Sequence, residues 1–130
     1  MTPTKYVSVL LPWPSTALSP NSRNRWAKIK AVKEARELVA AILFTECVRY
    51  APGHQPTKKP LAVHYKFYPP TRRWYDVDGL VSRCKAYQDQ VFEHLGVDDH
   101  LAVYLTARRG KVVKHGAVEI TVEEDDEANL

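Results

Sequence analysis

Residues 72–99 read RRWYDVDGLVSRCKAYQDQVFEHLGVDD, and the order of features in this stretch decides what domain the chain builds. Arg72 and Arg73 stand just ahead of two aspartates two positions apart, Asp76 and Asp78. The spacing then predicts a helix over residues 79–95. Its inner side carries Leu80, Val81, Cys84, Val91, Phe92 and Leu95, with Gln88 as the polar exception. Gly96 supplies the helix stop at C′, and the acidic pair Asp98-Asp99 follows. Ahead of the arginines, VHYKFYPP alternates Val63, Tyr65 and Phe67 against His64, Lys66 and Tyr68. That period of two predicts a strand, and the two prolines end it.

Working outward, YVSVLL at 6–11 reads as a short apolar strand. A loop rich in Pro, Ser and Asn follows, bracketed by Trp13 and Trp26, which read as core or lid residues. Ser22 or Asn24 is placed to cap the next helix. Residues 25–50 predict one long amphipathic helix, with Trp26, Ile29, Val32, Leu38, Val39, Ile42 and Leu43 at helical spacing. Its other face carries Lys28, Lys30, Lys33, Arg36 and Glu37, and suits either solvent or DNA phosphate. Residues 51–60 form a proline-rich linker containing His54. Beyond the central stretch, residues 101–109 and AVEITVE at 117–123 read as strands joined by the turn GKVVKHG. The expected fold class is α+β: a small mixed four-stranded sheet with two main helices, in the order β-α-β-α-β-β, the last two strands forming a hairpin.

A chain of 130 residues with 45% hydrophobic and 26% charged residues is that of one ordinary globular domain. We place that domain at 1–122 and read residues 123–130 as an acidic, disordered tail. No apolar run is long enough to span a bilayer and no signal-peptide pattern is present, which predicts a cytoplasmic protein. Cys47 and Cys84 belong to no metal-binding spacing and read as buried free thiols. Net charge is +4, but Glu123, Glu124, Asp125, Asp126 and Glu127 supply five of the fifteen acidic residues. The rest of the chain is strongly basic and suits a polyanion.

Carboxylates at i and i+2 of an extended segment point to one side. A hard divalent cation such as Mg²⁺ offsets their repulsion and keeps several waters. Arginines alongside suit a phosphate, which guanidinium grips bidentately. Carboxylates, cation and arginine together point to metal-assisted phosphodiester chemistry. The same aspartates also suit a turn and a helix cap. After Asp78, the residues Ser82, Lys85, Asp89 and Glu93 continue one polar stripe, in which Lys85 and Asp89 read as an exposed i, i+4 pair.

The chain resembles the RusA family of Holliday junction resolvases, small endonucleases of phages and prophages, over about residues 7–123. The resemblance rests on LPWP at 11–14 after a short strand, and on the Asn/Arg/Trp-rich loop before the first helix. It continues through PPTRRWYDVDG at 69–79, K-x-x-x-D at Lys85 to Asp89, the acidic pair after Gly96, and the closing KHGAVEITVEE. It implies a homodimer that binds four-way DNA junctions and cuts two strands symmetrically with Mg²⁺ or Mn²⁺. It also implies metal-holding, catalytic roles for Asp76, Asp78 and Asp99, and DNA contacts for Arg72 and Arg73. Three departures stand out. Gly79 replaces the usual Asn. Ser82 stands where the family lysine is expected, which leaves Lys85, or the DNA-facing Arg83, for that role. The loop before the acidic pair is short, so Asp98 competes with Asp99 as third ligand. Rival readings use the same residues: a branched-DNA-binding module without catalysis, or a Mg²⁺-dependent nuclease for flaps or forks.

Overall fold

A computed structural model describes residues 4–44 and 57–125, apart from the side chains of residues 4–6. The order is β1 (Thr4–Pro12), α1 (Arg25–Ile42), β2 (Leu61–Tyr68), α2 (Val77–Arg83), α3 (Lys85–Leu95), β3 (Ala102–Arg109) and β4 (Ala117–Glu124). Short 3₁₀ turns occupy Thr16–Leu18 and Asp99–Leu101. Four strands form one mixed sheet in the order β1-β4-β2-β3. The β1–β4 and β4–β2 pairs are antiparallel, and β2–β3 is parallel.

The expected α+β class and four-stranded mixed sheet are present, but the terminal hairpin is not. β2 lies between β3 and β4 and pairs with both. The physical reason is burial. Val118, Ile120 and Val122 of β4 are fully buried, as are Val63, Tyr65 and Phe67 of β2 to within a few per cent. β1 buries Val7, Val9 and Leu11 in the same way, so three strands with a buried face lie together. β3 has no comparable buried face and takes an edge. Because β2 and β3 are parallel, the chain needs a long crossover between them, which α2 and α3 provide.

The single helix expected over residues 79–95 is two helices. The backbone breaks at Cys84 (φ −90°, ψ 5°). The Cys84 N–H closes a tight bond to the Val81 carbonyl at 2.9 Å, and the Cys84 carbonyl restarts the ladder by accepting from Gln88 N–H at 2.9 Å. The apolar pattern runs through the break because both helices bury residues against the same sheet. Gln88 is explained by its partner, since the hydroxyl of buried Tyr65 donates to its side-chain oxygen. Burial raises the Tyr65 phenol well above its ordinary range and pushes the Cys84 thiol up to about 12. Cys84 is thus an inert core residue. Cys47, His54 and the end of the long first helix lie outside the described residues.

Asn24, not Ser22, caps α1, accepting from Ala27 N–H at 3.0 Å. The sequence's Gly96 does end α3, in left-handed geometry (φ 68°). We expect Gly96→Ala to cost about 1–2 kcal/mol, the penalty of a Cβ in that conformation. Thermal unfolding should show it as a melting temperature lower by about 3–6 °C.

The acidic run begins inside the sheet. Glu123 and Glu124 belong to β4, and the Glu123 carboxylate pairs with His64 Nε2 at 3.1 Å. The Asp125 N–H donates to the Pro60 carbonyl at 2.8 Å. The folded domain therefore runs past the expected boundary at residue 122: Glu123 continues the solvent face of a central strand with Glu119 and Thr121, and Glu124 at the strand's end accepts from the Thr57 hydroxyl.

Candidate functional site

The segment between β2 and α2 is built to hold its charged residues outward. Trp13, from the LPWP segment, packs edge-on against Phe67 and Tyr75, with ring centroids 6.1 and 5.1 Å apart. Tyr75 carries the Arg73 guanidinium over its ring at 4.6 Å and shares a hydrogen bond with the Thr71 hydroxyl at 3.1 Å. From the end of β3, Arg109 donates to the Arg73 carbonyl at 2.7 Å and to the Thr71 carbonyl at 3.4 Å. Its guanidinium also lies 5.5 Å from the centre of the Trp74 ring. Arg72, Arg73 and Trp74 are all exposed, Trp74 at 90%.

Arg109 and Trp74 were not singled out by the sequence. Arg109 looked like a strand residue, and only the β2–β3 register sets it beside the loop. Trp74 carried a signal in retrospect: an aromatic wedged between two arginines and two aspartates has no apolar period to serve. We expect Arg109→Ala to leave the fold intact but loosen this loop. Native-state trypsin cleavage after Arg72 and Arg73 should quicken about tenfold, the loss of roughly one charge-assisted hydrogen bond.

Asp76 is the N-cap of α2, its carboxylate accepting from Asp78 N–H at 3.2 Å. Asp78 lies in the first turn, and both side chains are exposed. The capping role foreseen for these aspartates is thus present, and it leaves Asp76 Oδ2 and the whole Asp78 carboxylate outside the cap bond. The Gly79 departure has a local reason. A Cβ there would sit 3.2 Å from Asp76 Oδ2, closer than ordinary packing, so glycine lets this carboxylate fold over the helix start.

The other site residues lie elsewhere. Lys85 opens α3 and pairs with Asp89 at 3.3 Å, so the expected exposed pair is formed. The break at Cys84 means that Lys85 does not continue the helical face of Asp78. Arg83, at the end of α2, lines a cleft with Lys28, Lys85 and Asp89. Asp99 faces a shallow depression shared with Lys85, Asp89 and Glu93. Asp98 is engaged by His100: its Oδ1 accepts from His100 N–H at 3.0 Å and contacts Nδ1 at 2.6 Å. These bonds lower the Asp98 pKa and raise that of His100. The pair therefore holds in the window above the lowered carboxyl value and below the raised imidazole value. With Asp98 so committed, Asp99 is the freer of the two.

Asp76, Asp78 and Asp99 do not converge within one chain. Leu61 pairs with Ala102 at one end of the β2–β3 ladder and Phe67 with Arg109 at the other. Asp99 precedes the first end, whereas Asp76 and Asp78 adjoin the second. Seven strand residues separate these ends, roughly 20–25 Å. Among the described residues, no group of three His, Cys, Asp or Glu side chains is placed to hold a metal ion. Two exposed carboxylates do fit a Mg²⁺ ion that keeps its waters and takes phosphate oxygens as further ligands.

Together these features define an α+β domain that presents a carboxylate pair and an arginine loop at one end of its sheet. Among the described residues no helix is long and apolar enough to cross a membrane. No family model matches the chain. It is 37% identical over 116 residues to an uncharacterized protein of Xylella fastidiosa, an alignment covering 88% of this chain and 74% of the other. The chain belongs to the family of that protein.

Proposed function

We propose that this protein is a metal-dependent endonuclease that cuts four-way DNA junctions symmetrically as a homodimer, in the cytoplasm of a bacterial or phage-infected cell. The observation that carries this reading is the corner itself. Asp76 and Asp78 stand exposed at the start of α2, beside Arg72 and Arg73 on a loop fastened by Arg109, Trp13 and Tyr75. Cation, carboxylate and guanidinium are what a phosphodiester cut requires, and the fastened loop keeps them in register.

Asp76 and Asp78 would hold Mg²⁺ or Mn²⁺; Asp99, the third carboxylate that the resemblance implies, stands at the other end of β3 in the same chain. The bound ion supplies Lewis acidity toward the phosphate and a more acidic water. Arg72 and Arg73 grip backbone phosphates without reading bases. Exposed Trp74 offers a flat apolar face on which an unstacked base at a branch point can rest. Lys85, once drawn off Asp89, offsets charge on the phosphate, and Arg83 is the neighbouring cation for the same task.

A second reading, a junction-binding module without catalysis, is favoured by one observation: the three aspartates do not meet in a single chain. The test compares duplex, flap, fork and four-way DNA, with and without Mg²⁺. Paired nicks confined to the four-way substrate and dependent on Mg²⁺ support the proposal. Binding with no nick supports the module, and cutting of flaps or forks in preference moves the substrate class.

A further inference from the structure

The two edges of the sheet are unlike. β1 carries a register irregularity between Lys5 and Val7 and ends at Pro12, two features that blunt an edge against further pairing. β3 has neither a proline nor a charge over residues 102–107. Three successive residues in it, Tyr104, Leu105 and Thr106, are exposed, so both faces of the strand reach solvent at its middle. The ladder to β2 uses one side of β3; among the described residues no strand pairs with the other. Such an edge is a template for another strand.

Charge selects the strand. Asp98-Asp99 stands just before β3, and Arg108-Arg109 closes it. A second copy of β3 laid parallel would set like charges together. Laid antiparallel, about a two-fold axis near the strand's middle, it sets each acidic pair against the other copy's arginines. An isologous interface requires this self-complementarity.

The same arrangement closes the gap in the site. Arg109 marks the end of β3 that adjoins Tyr75 and Val77, next to Asp76 and Asp78. Asp99 marks the opposite end. An antiparallel partner therefore carries its own Asp99 to the corner where a single chain lacks a third carboxylate, and it does so twice. We propose that the outer edge of β3 takes a second copy of this chain antiparallel about a two-fold axis, and that each copy lends its Asp99 to the Asp76–Asp78 corner of the other. The donated carboxylate rests on the junction-nuclease reading; the interface does not.

Two measurements test it. In sedimentation the protein should be a dimer, and Leu105→Lys should be a monomer that still melts cooperatively, because Leu105 is exposed. A monomeric parent, or a dimer indifferent to Leu105→Lys, overturns the interface. Next, Asp78→Asn and Asp99→Asn are prepared separately, then unfolded together and refolded. Each alone should lose tight Mn²⁺ binding in a calorimetric titration. After random mixing, half the dimers are mixed and each regains one complete site, so about a quarter of the parent's Mn²⁺ sites should return. Failure of any to return means that each site belongs to one chain, and overturns the donation even if the parent cuts junctions. Return of Mn²⁺ sites in a protein that cuts no branched DNA upholds the shared site and removes the nuclease reading.

Discussion

Asp78→Asn should abolish junction cleavage, by at least about 10²–10³-fold, while four-way DNA is bound as tightly as by the parent or more so. The change is nearly isosteric and exposed, so stability should hardly move: Asp78 contributes its backbone N–H, not its side chain, to the cap made by Asp76. What disappears is charge. A neutral amide oxygen still coordinates weakly, but it does not offset a divalent ion held beside a phosphate. Binding responds in the opposite direction. On the proposed function it depends on Arg72, Arg73 and the basic surface, and removing a negative group near the phosphate relieves a repulsion. Cleavage rate and affinity measured on one synthetic junction separate the two effects. Loss of both together would mean that Asp78 acts through the fold, and unchanged cleavage would remove the carboxylate pair from the chemistry.

How much of this was legible beforehand depends on whether a feature is local. The alternation of Val63, Tyr65 and Phe67 needs only neighbours to be read, and all three are buried in β2. The stop at Gly96 and the exposed Lys85–Asp89 pair are local in the same sense. The order of strands is not. β3 and β4 follow one another closely, and a hairpin is the natural expectation. Yet β4 pairs with β1 on one side and β2 on the other, and residues 110–116 are long enough to carry the chain across β2. The weak apolar alternation of AVYLTARR was the trace of an edge. The aspartates divide the same way. Asp76 and Asp78 are paired by sequence alone, whereas the placement of Asp99 follows from a parallel register that no short motif encodes.

Phe67→Ala should be the most damaging single truncation near the site, costing about 3–5 kcal/mol. Phe67 is 1% exposed on a central strand. Its ring stacks on Tyr65 at 5.8 Å and takes the edge of Trp13. A small apolar cavity already borders it, lined by Trp13, Tyr75, Val77 and Leu80. Removing the ring enlarges that void, and a sheet hydrogen-bonded on both sides of β2 has little freedom to collapse into it, which favours the upper part of the range. Domains of this size hold about 5–15 kcal/mol in total, so the loss is a large share. Urea unfolding should show a lower midpoint with an unchanged slope. The consequence reaches the corner, because Trp13 and Tyr75 rest on this ring and position the loop that carries Arg72 and Arg73. Below its lowered midpoint, Phe67→Ala should therefore bind junctions more weakly than its folded fraction explains. Phe67→Leu keeps most of the volume and should cost only about 1–1.5 kcal/mol, with binding restored. Equal losses from Ala and Leu would show that aromatic stacking, not volume, holds the corner in place.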